Sequence, residues 1–275
     1  MIDCLVSFGT PEYFHRQFLL GSSAVATGVV KRHMPWNPTR IMREGFGRLA
    51  PDISLRGRGA GFWAWKPFII RAALEELSEG SCLLYCDVGR RFPYKILNSP
   101  LDIFEEWMSD HNQSFLPGVY IPWLGPIKQW TKRDSFILTK TDSPLYHNSP
   151  QIQASFSLWR NTPESFATLN EWQEWCADYN KISDEPSKCG KPELENFIEH
   201  RHDQALLSLL CLRDGLKAFD LGNKIPAFDS KDPCAIARYH GAKERPVPFW
   251  LRFLQSGLQR LEIVARKASR RDVFS

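Results

Sequence analysis

The sequence predicts a three-layer α/β domain around a mainly parallel central sheet, and three observations carry that prediction. An apolar run, Ile2–Phe8, stops at Gly9-Thr10-Pro11 and gives way to a segment of helical spacing. A second unit of helix then strand follows, with Pro67 in the first helical turn and Ser78-Glu79-Gly80 as its stop. The strand of that unit, Ser81–Cys86, ends on Asp87, and open α/β sheets present ligand-binding groups at the carboxyl ends of their strands. At 275 residues the chain fits one such domain and buries enough surface to fold without disulfides or a structural metal.

Taken in order, the elements read as follows. Ile2–Phe8 is a buried strand, and Glu12–Ala26 is a helix ended by Thr27-Gly28. Val29–Arg32 reads as a second strand. Met34–Gly61, rich in Pro, Gly and Arg, reads as loop with a short helix near Ile41–Leu49. Phe68–Leu77 is helical, Ser81–Cys86 a strand and Leu101–Met108 a short helix. Phe115–Thr141 reads as paired strands and loops, and Gln151–Trp159 alternates as one strand. Thr162 opens a helix over Pro163–Tyr179, Lys181–Pro192 is a polar loop, and Glu193–Leu212 is a long helix. Residues 1–247 form the domain, and residues 248–275 form a basic amphipathic tail.

Composition narrows the function classes. With 43% apolar and 24% charged residues the chain is neither disordered nor fibrous. A net charge of +4 points to no nucleic-acid partner, while it suits anionic small substrates. Ten Trp and 18 Phe serve a binding cleft or a large core. Seven cysteines, an odd number with no CxxC pair, read as reduced thiols and a cytoplasmic setting. Met1–Phe8 lacks the basic start and long apolar stretch of a signal peptide, and no apolar run reaches the ~20 residues of a spanning helix. No GxxxxGK[ST] occurs, which removes P-loop chemistry.

Three segments carry chemistry. Arg58-Gly59-Ala60-Gly61-Phe62-Trp63-Ala64-Trp65-Lys66-Pro67 places cations beside a Gly-rich turn that leads into a helix. Tyr85-Cys86-Asp87-Val88-Gly89 places a carboxylate at a strand end, followed by Arg90 and Arg91, whose guanidinium forks match phosphate oxygens. Phe197-Ile198-Glu199-His200-Arg201-His202-Asp203-Gln204 places a carboxylate against an apolar helix, where an isolated buried charge is expensive and must face a cleft or a partner.

Together with Gln153-Ala154 and Arg160-Asn161-Thr162, these segments resemble, in the same order over roughly residues 1–245, a family of glycosyltransferase-like proteins. That family is found among capsule and surface-glycan genes and is similar to the GT-A superfamily. The resemblance implies a GT-A-like fold, a nucleotide-sugar donor and a glycan or lipid-linked acceptor. It also implies a divalent metal, Mn²⁺ or Mg²⁺, at Asp87, to take up charge on the departing diphosphate. The chain departs from the commoner pattern there, since Asp87-Val88-Gly89 stands where Asp-x-Asp would give two carboxylates. His240 and Lys243, in Arg238-Tyr239-His240-Gly241-Ala242-Lys243, loosely resemble a His-x-Gly-x-x-Lys signature in which His binds metal and Lys contacts phosphate.

The candidate site is therefore Asp203 and Gln204 on the sugar and acceptor side, and Asp87 and His240 for a metal. Arg58, Lys66, Arg90, Arg91 and Lys243 are the candidates for the nucleotide phosphates. Two rival readings remain open. A degenerate transferase fold serving as a binding module follows from the missing second carboxylate. A metal-dependent hydrolase follows from His200, His202 and Asp203, although His at i and i+2 of a helix point apart. In the tail, Phe249, Trp250, Leu251, Phe253 and Leu254 alternate with Arg252, and Arg260, Arg266, Lys267, Arg270 and Arg271 follow. That pattern suits either a packed terminal helix or a helix lying on an anionic membrane, which would make the protein peripheral to it.

Overall fold

The computed structural model describes residues 1–89, 96, 101–222, 225–226, 229–241, 246, 248–254, 256–258 and 260–261. In chain order the elements are β1 (Ile2–Phe8), α1 (Phe14–Ala26), β2 (Val30–Trp36), α2 (Pro38–Arg43), α3 (Phe46–Leu49) and a short turn α4 (Gly59–Phe62). Next come α5 (Trp65–Glu75), β3 (Cys82–Cys86), α6 (Asp102–Asp110), β4 (Phe115–Leu116) and β5 (Val119–Tyr120). Then follow α7 (Arg133–Leu138), α8 (Pro144–His147), β6 (Ile152–Gln153), β7 (Phe156–Arg160), α9 (Pro163–Ala177) and α10 (Tyr179–Ile182). The last are α11 (His202–Arg213) and α12 (Pro233–Tyr239).

The main sheet has the order β2-β1-β3-β7-β4. β1 pairs parallel with both β2 and β3, β7 runs against β3, and β4 runs against β7. β4 thus points the same way as the first three strands, and β7 is the exception in a mainly parallel sheet. Alternation along the strands divides the core in two. Cys4, Val6 and Phe8 of β1 with Leu83 and Tyr85 of β3 pack under α5, α9 and α11. Leu5, Leu84 and Cys86 face the other way, toward α1, α6 and α12. These two cores make the three layers the sequence predicts.

Local chemistry accounts for the boundaries. Thr162 caps α9, its hydroxyl accepting from Ser165 N at 3.3 Å, and Pro163 occupies the first turn. β2 runs further than expected, through Met34 and Pro35 to Trp36; it is an edge strand, where the missing N–H of Pro35 is tolerated. The expected single strand over Gln151–Trp159 is two, broken at Ala154-Ser155, with β6 joined to β5 in a separate two-stranded sheet. Within 115–141 the strands are only two residues long, and α7 takes up the end of that segment.

The largest correction concerns the expected helix over Glu193–Leu212, which begins only at His202. Ahead of it, Ile198 N donates to Gln129 O at 2.8 Å and Arg201 N to Trp130 O at 2.9 Å. Those N–H groups are spent on a distant loop instead of on the preceding helical turn. As a result Asp203 stands in the first turn of α11, not at mid-helix.

Candidate functional site

β3 ends at Cys86, and Asp87 N donates across to Ser155 O at 2.8 Å, which fixes the carboxylate at the sheet's carboxyl edge. Tyr85 Oη donates to Asp87 Oδ1. From α5, Lys66 reaches under this point, and its Nζ lies 3.5 Å from Asp87 Oδ1 and 2.6 Å from Asp203 Oδ2. The same ammonium donates to Ala154 O at 2.9 Å, so three oxygens lie around it. Asp203 is held from behind by Trp172, whose indole N–H donates to the Asp203 carbonyl at 3.1 Å. Asp87, Lys66 and Asp203 are buried, with 8%, 3% and 4% of their surface exposed. One cation therefore joins two carboxylates that the chain brings from separate elements.

The charge balance leaves the carboxylates short of compensation. Burial raises the Asp203 carboxyl, Lys66 opposes that, and neighbouring Asp87 adds to the rise, which carries it to about 6. Burial also raises Asp87, against the pull of Lys66 and the Tyr85 hydrogen bond. For Lys66, burial disfavours the charge, but Asp203 and Asp87 outweigh it and its pKa is raised.

Two clefts meet at this cluster. One of about 400 Å³ opens at the ends of β1 and β3, lined by Phe8, Thr10, Arg56, Trp65 and Gly89 among others. The other, about 130 Å³, is lined by Arg58, Lys66, Gln153, Gln204 and Lys231 among others. Trp63 and Asp87 line both. The wall that carries Trp63 is a turn of left-handed helix: Gly59, Ala60, Gly61, Phe62 and Trp63 have φ of 58°, 50°, 90°, 58° and 57°. Its i to i−4 hydrogen bonds run from Phe62 N to Arg58 O and from Trp63 N to Gly59 O. Left-handed helix costs roughly 1–2 kcal/mol for each non-glycine residue, so neighbours must hold it. Phe62 stacks on His202 with ring centroids 5.3 Å apart, Trp63 packs on the same ring at 5.5 Å, and Trp65 Nε1 donates to Gly59 O at 3.1 Å. An L-side chain at Gly59 would add strain and drive its Cβ into the Trp63 ring.

The remaining candidates fall in different places. Arg58 lines the smaller cleft, but its guanidinium is paired with Asp184 at 3.3 Å and Glu199 at 3.1 Å. Gln204 also lines that cleft and donates from Nε2 to Gln151 Oε1 at 2.7 Å. His240 sits exposed at the end of α12 with its ring edge-on to Phe219. Arg90, Arg91 and Lys243 lie outside the described residues. His200 uses both ring nitrogens within the fold: Nδ1 accepts from Lys132 N, and Nε2 donates to Lys181 O. His202 donates from Nε2 to Asp184 Oδ1 at 2.9 Å, so His200, with both ring nitrogens spent, is not offered to a zinc ion as the hydrolase reading requires. Sequence reasoning missed Tyr85, Ser155 and Lys231. Tyr85 stood in the strand motif all the same, one side-chain alternation before Asp87.

The geometry does not fit a divalent ion held between Asp87 and Asp203. Such an ion wants several oxygen ligands, yet the space between the two carboxylates is taken by the Lys66 ammonium. Among the described residues no group of three or more His, Cys, Asp or Glu side chains is placed to hold a metal. All seven cysteines are free thiols. No helix among the described residues is long and apolar enough to cross a membrane.

No protein-family model matches the chain, and no curated protein matches it in sequence. Solved structures similar to it include the following two. Mouse xyloside xylosyltransferase 1, in its apo form, is 12% identical over 90% of this chain and 96% of its own, with a TM-score of 0.41. Core-mannan synthase A from Aspergillus fumigatus, in an Mn/GDP form, is 10% identical over 77% of this chain and 69% of its own, with a TM-score of 0.36.

Proposed function

We propose that this protein is a glycosyltransferase that moves a sugar from a nucleoside-diphosphate donor to a glycan or lipid-linked acceptor. The observation that carries this reading is the meeting of Asp87, Lys66 and Asp203 at the wall shared by the two clefts. The larger cleft has the volume and aromatic lining of a nucleotide pocket and lies where open α/β sheets bind ligands. The smaller, polar cleft takes the sugar and the acceptor hydroxyl. Asp203, pushed up to about 6, is matched to accept a proton from that hydroxyl near neutral pH. Gln204 beside it positions hydroxyls, and Arg56 and Lys231 bring positive charge to the two clefts.

A thermal-shift panel of nucleotide sugars, followed by an assay for released nucleoside diphosphate, tests the reading. Stabilisation by one donor and acceptor-dependent release are expected. Failure of every donor to bind would sink it. The ammonium locked between the carboxylates favours one second reading, a module that binds sugar nucleotides without turnover. Tight binding with no release would select it.

An acceptor anchored at an anionic membrane is also proposed, which would place the protein at its cytoplasmic face. Phe14, Phe18 and Val25 are exposed along α1 and line a groove with Trp250, beside which Phe249 and Phe253 are 83% and 72% exposed. Arg252 and the basic residues after it supply the matching charge. Truncation after Val247 should abolish salt-sensitive flotation with anionic vesicles and spare nucleotide binding. Full-length protein that ignores such vesicles at low salt would defeat the proposal.

A further inference from the structure

We infer that the ammonium of Lys66 is the protein's resident counter-ion in the place where a divalent cation would sit, and that its removal exposes a latent divalent-metal site at Asp87 and Asp203. Three oxygens converge on that nitrogen: Asp203 Oδ2 at 2.6 Å, Ala154 O at 2.9 Å and Asp87 Oδ1 at 3.5 Å. This is an oxygen cage of the kind hard cations select, with a monovalent occupant covalently tethered to α5. Among the described residues, Asp203 Oδ2 is buried with no hydrogen-bond partner, so its compensation is the ion pair with Lys66. A metal ion and an ammonium cannot share the cage, because like charges at such distances repel strongly away from water. Pro67 in the first turn of α5 and the left-handed turn before it fix the backbone that delivers Lys66, and the side chain is 4% exposed. Lys66 does not swing out to the phosphates as the sequence suggested; it tunes two carboxylates.

The ligand consequence rests on the glycosyltransferase reading: the diphosphate binds without a metal ligated by Asp87. The metal consequence does not. Mn²⁺ alone is therefore titrated first, followed by its electron paramagnetic resonance signal, against the wild type, Lys66→Ala and Lys66→Ala/Asp87→Asn at neutral pH. The wild type should leave Mn²⁺ free to about 1 mM, while Lys66→Ala should bind it at least about tenfold more tightly and the double variant should lose that gain. Wild-type binding that Asp87→Asn removes would overturn the inference. So would a Lys66→Ala protein, folded by circular dichroism, that gains no Mn²⁺ affinity. If Lys66→Ala does not fold, the wild-type and Asp87→Asn titrations together still decide whether Asp87 holds a metal. UDP and GDP are then tested by thermal shift with EDTA and with Mn²⁺. Equal stabilisation in both supports the inference, and stabilisation only with Mn²⁺ that Asp87→Asn abolishes overturns it. Absence of stabilisation in either, with the Mn²⁺ results as expected, would instead count against the nucleotide-sugar reading.

Discussion

Asp142 and Asp203 both lie against cations, yet their surroundings push the two carboxyls in opposite directions. Asp142 faces Arg133 at 2.9 Å, His147 at 2.9 Å and Lys191 at 3.2 Å, with its side chain 17% exposed. Burial raises it, but Lys191, Arg133 and His147 together hold the carboxyl below its usual range. Asp203 is more deeply buried and shares a single ammonium with Asp87, so burial wins. The first cluster has more cations than carboxylates and pins one loop to another. In the second, two buried carboxylates share one buried ammonium, and the protonation state of Asp203 stays adjustable near neutrality.

The largest expected effect that sharpens this contrast is on stability. Lys66→Met leaves two buried carboxylates uncompensated and should cost about 3–5 kcal/mol in urea unfolding. Lys191→Met, at a side chain 56% exposed, should cost less than about 1 kcal/mol. Equal losses would break the distinction. On activity, Asp203→Asn should lower turnover roughly 10²–10³-fold at unchanged nucleotide affinity, since it removes the group proposed to face the acceptor. Asp142→Asn should stay within about twofold of wild type. Loss of nucleotide affinity in Asp203→Asn would move Asp203 to the donor phosphates.

The smallest effect is in the pH dependence. Asp203 has its carboxyl raised from 3.8 to about 6, so between those values the folded protein binds more protons than the unfolded chain. Its contribution is therefore fully present below pH 3.8 and lost as pH rises through 6. Asp203→Asn lacks this term, so its stability relative to wild type should improve by roughly 1–3 kcal/mol from about pH 4 to pH 7. Asp142→Asn should show the opposite slope and only below about pH 3.8, because the Asp142 carboxyl is lowered from 3.8 and its stabilisation is lost as pH falls through that lowered value. Parallel pH profiles for the two variants would remove the comparison.

Much of the layered fold was legible because it follows from local pattern. Ile2–Phe8 and Cys82–Cys86 are apolar runs with plain stops, and Thr162-Pro163 announces a helix start. Asp87 and Lys66 could each be named for the same reason, as each stands at the start or end of such an element, whereas Asp203 could be named as a charge set within an apolar helical run. Their union could not. The contact of Lys66 with Asp203 joins α5 to α11, and nothing in either segment's spacing encodes it. The false start of α11 at Glu193 has a related cause: Leu194, Phe197 and Ile198 keep helical spacing while their backbone is committed to Gln129 and Trp130. Burial in a sequence is inferred from side chains, whereas here the deciding partners are main-chain groups far away in the chain.

The left-handed turn at 59–63 has a consequence for the order in which the molecule assembles. An isolated chain has no reason to adopt it at Ala60, Phe62 and Trp63, and the rings that hold it, His202 and Tyr179, arrive from much later in the sequence. The β1–β2–β3 unit can form from nearby segments, but the cleft wall must wait for the start of α11 to dock. The two should then also come apart together, as one cooperative unit. In native-state hydrogen exchange the amides of Phe62 and Trp63 should open with the same free energy as that of Arg201, whose N–H is tied to Trp130 O. Separate opening energies would mean that the wall stands without the helix start, and that the pocket precedes the carboxylate it is built to meet.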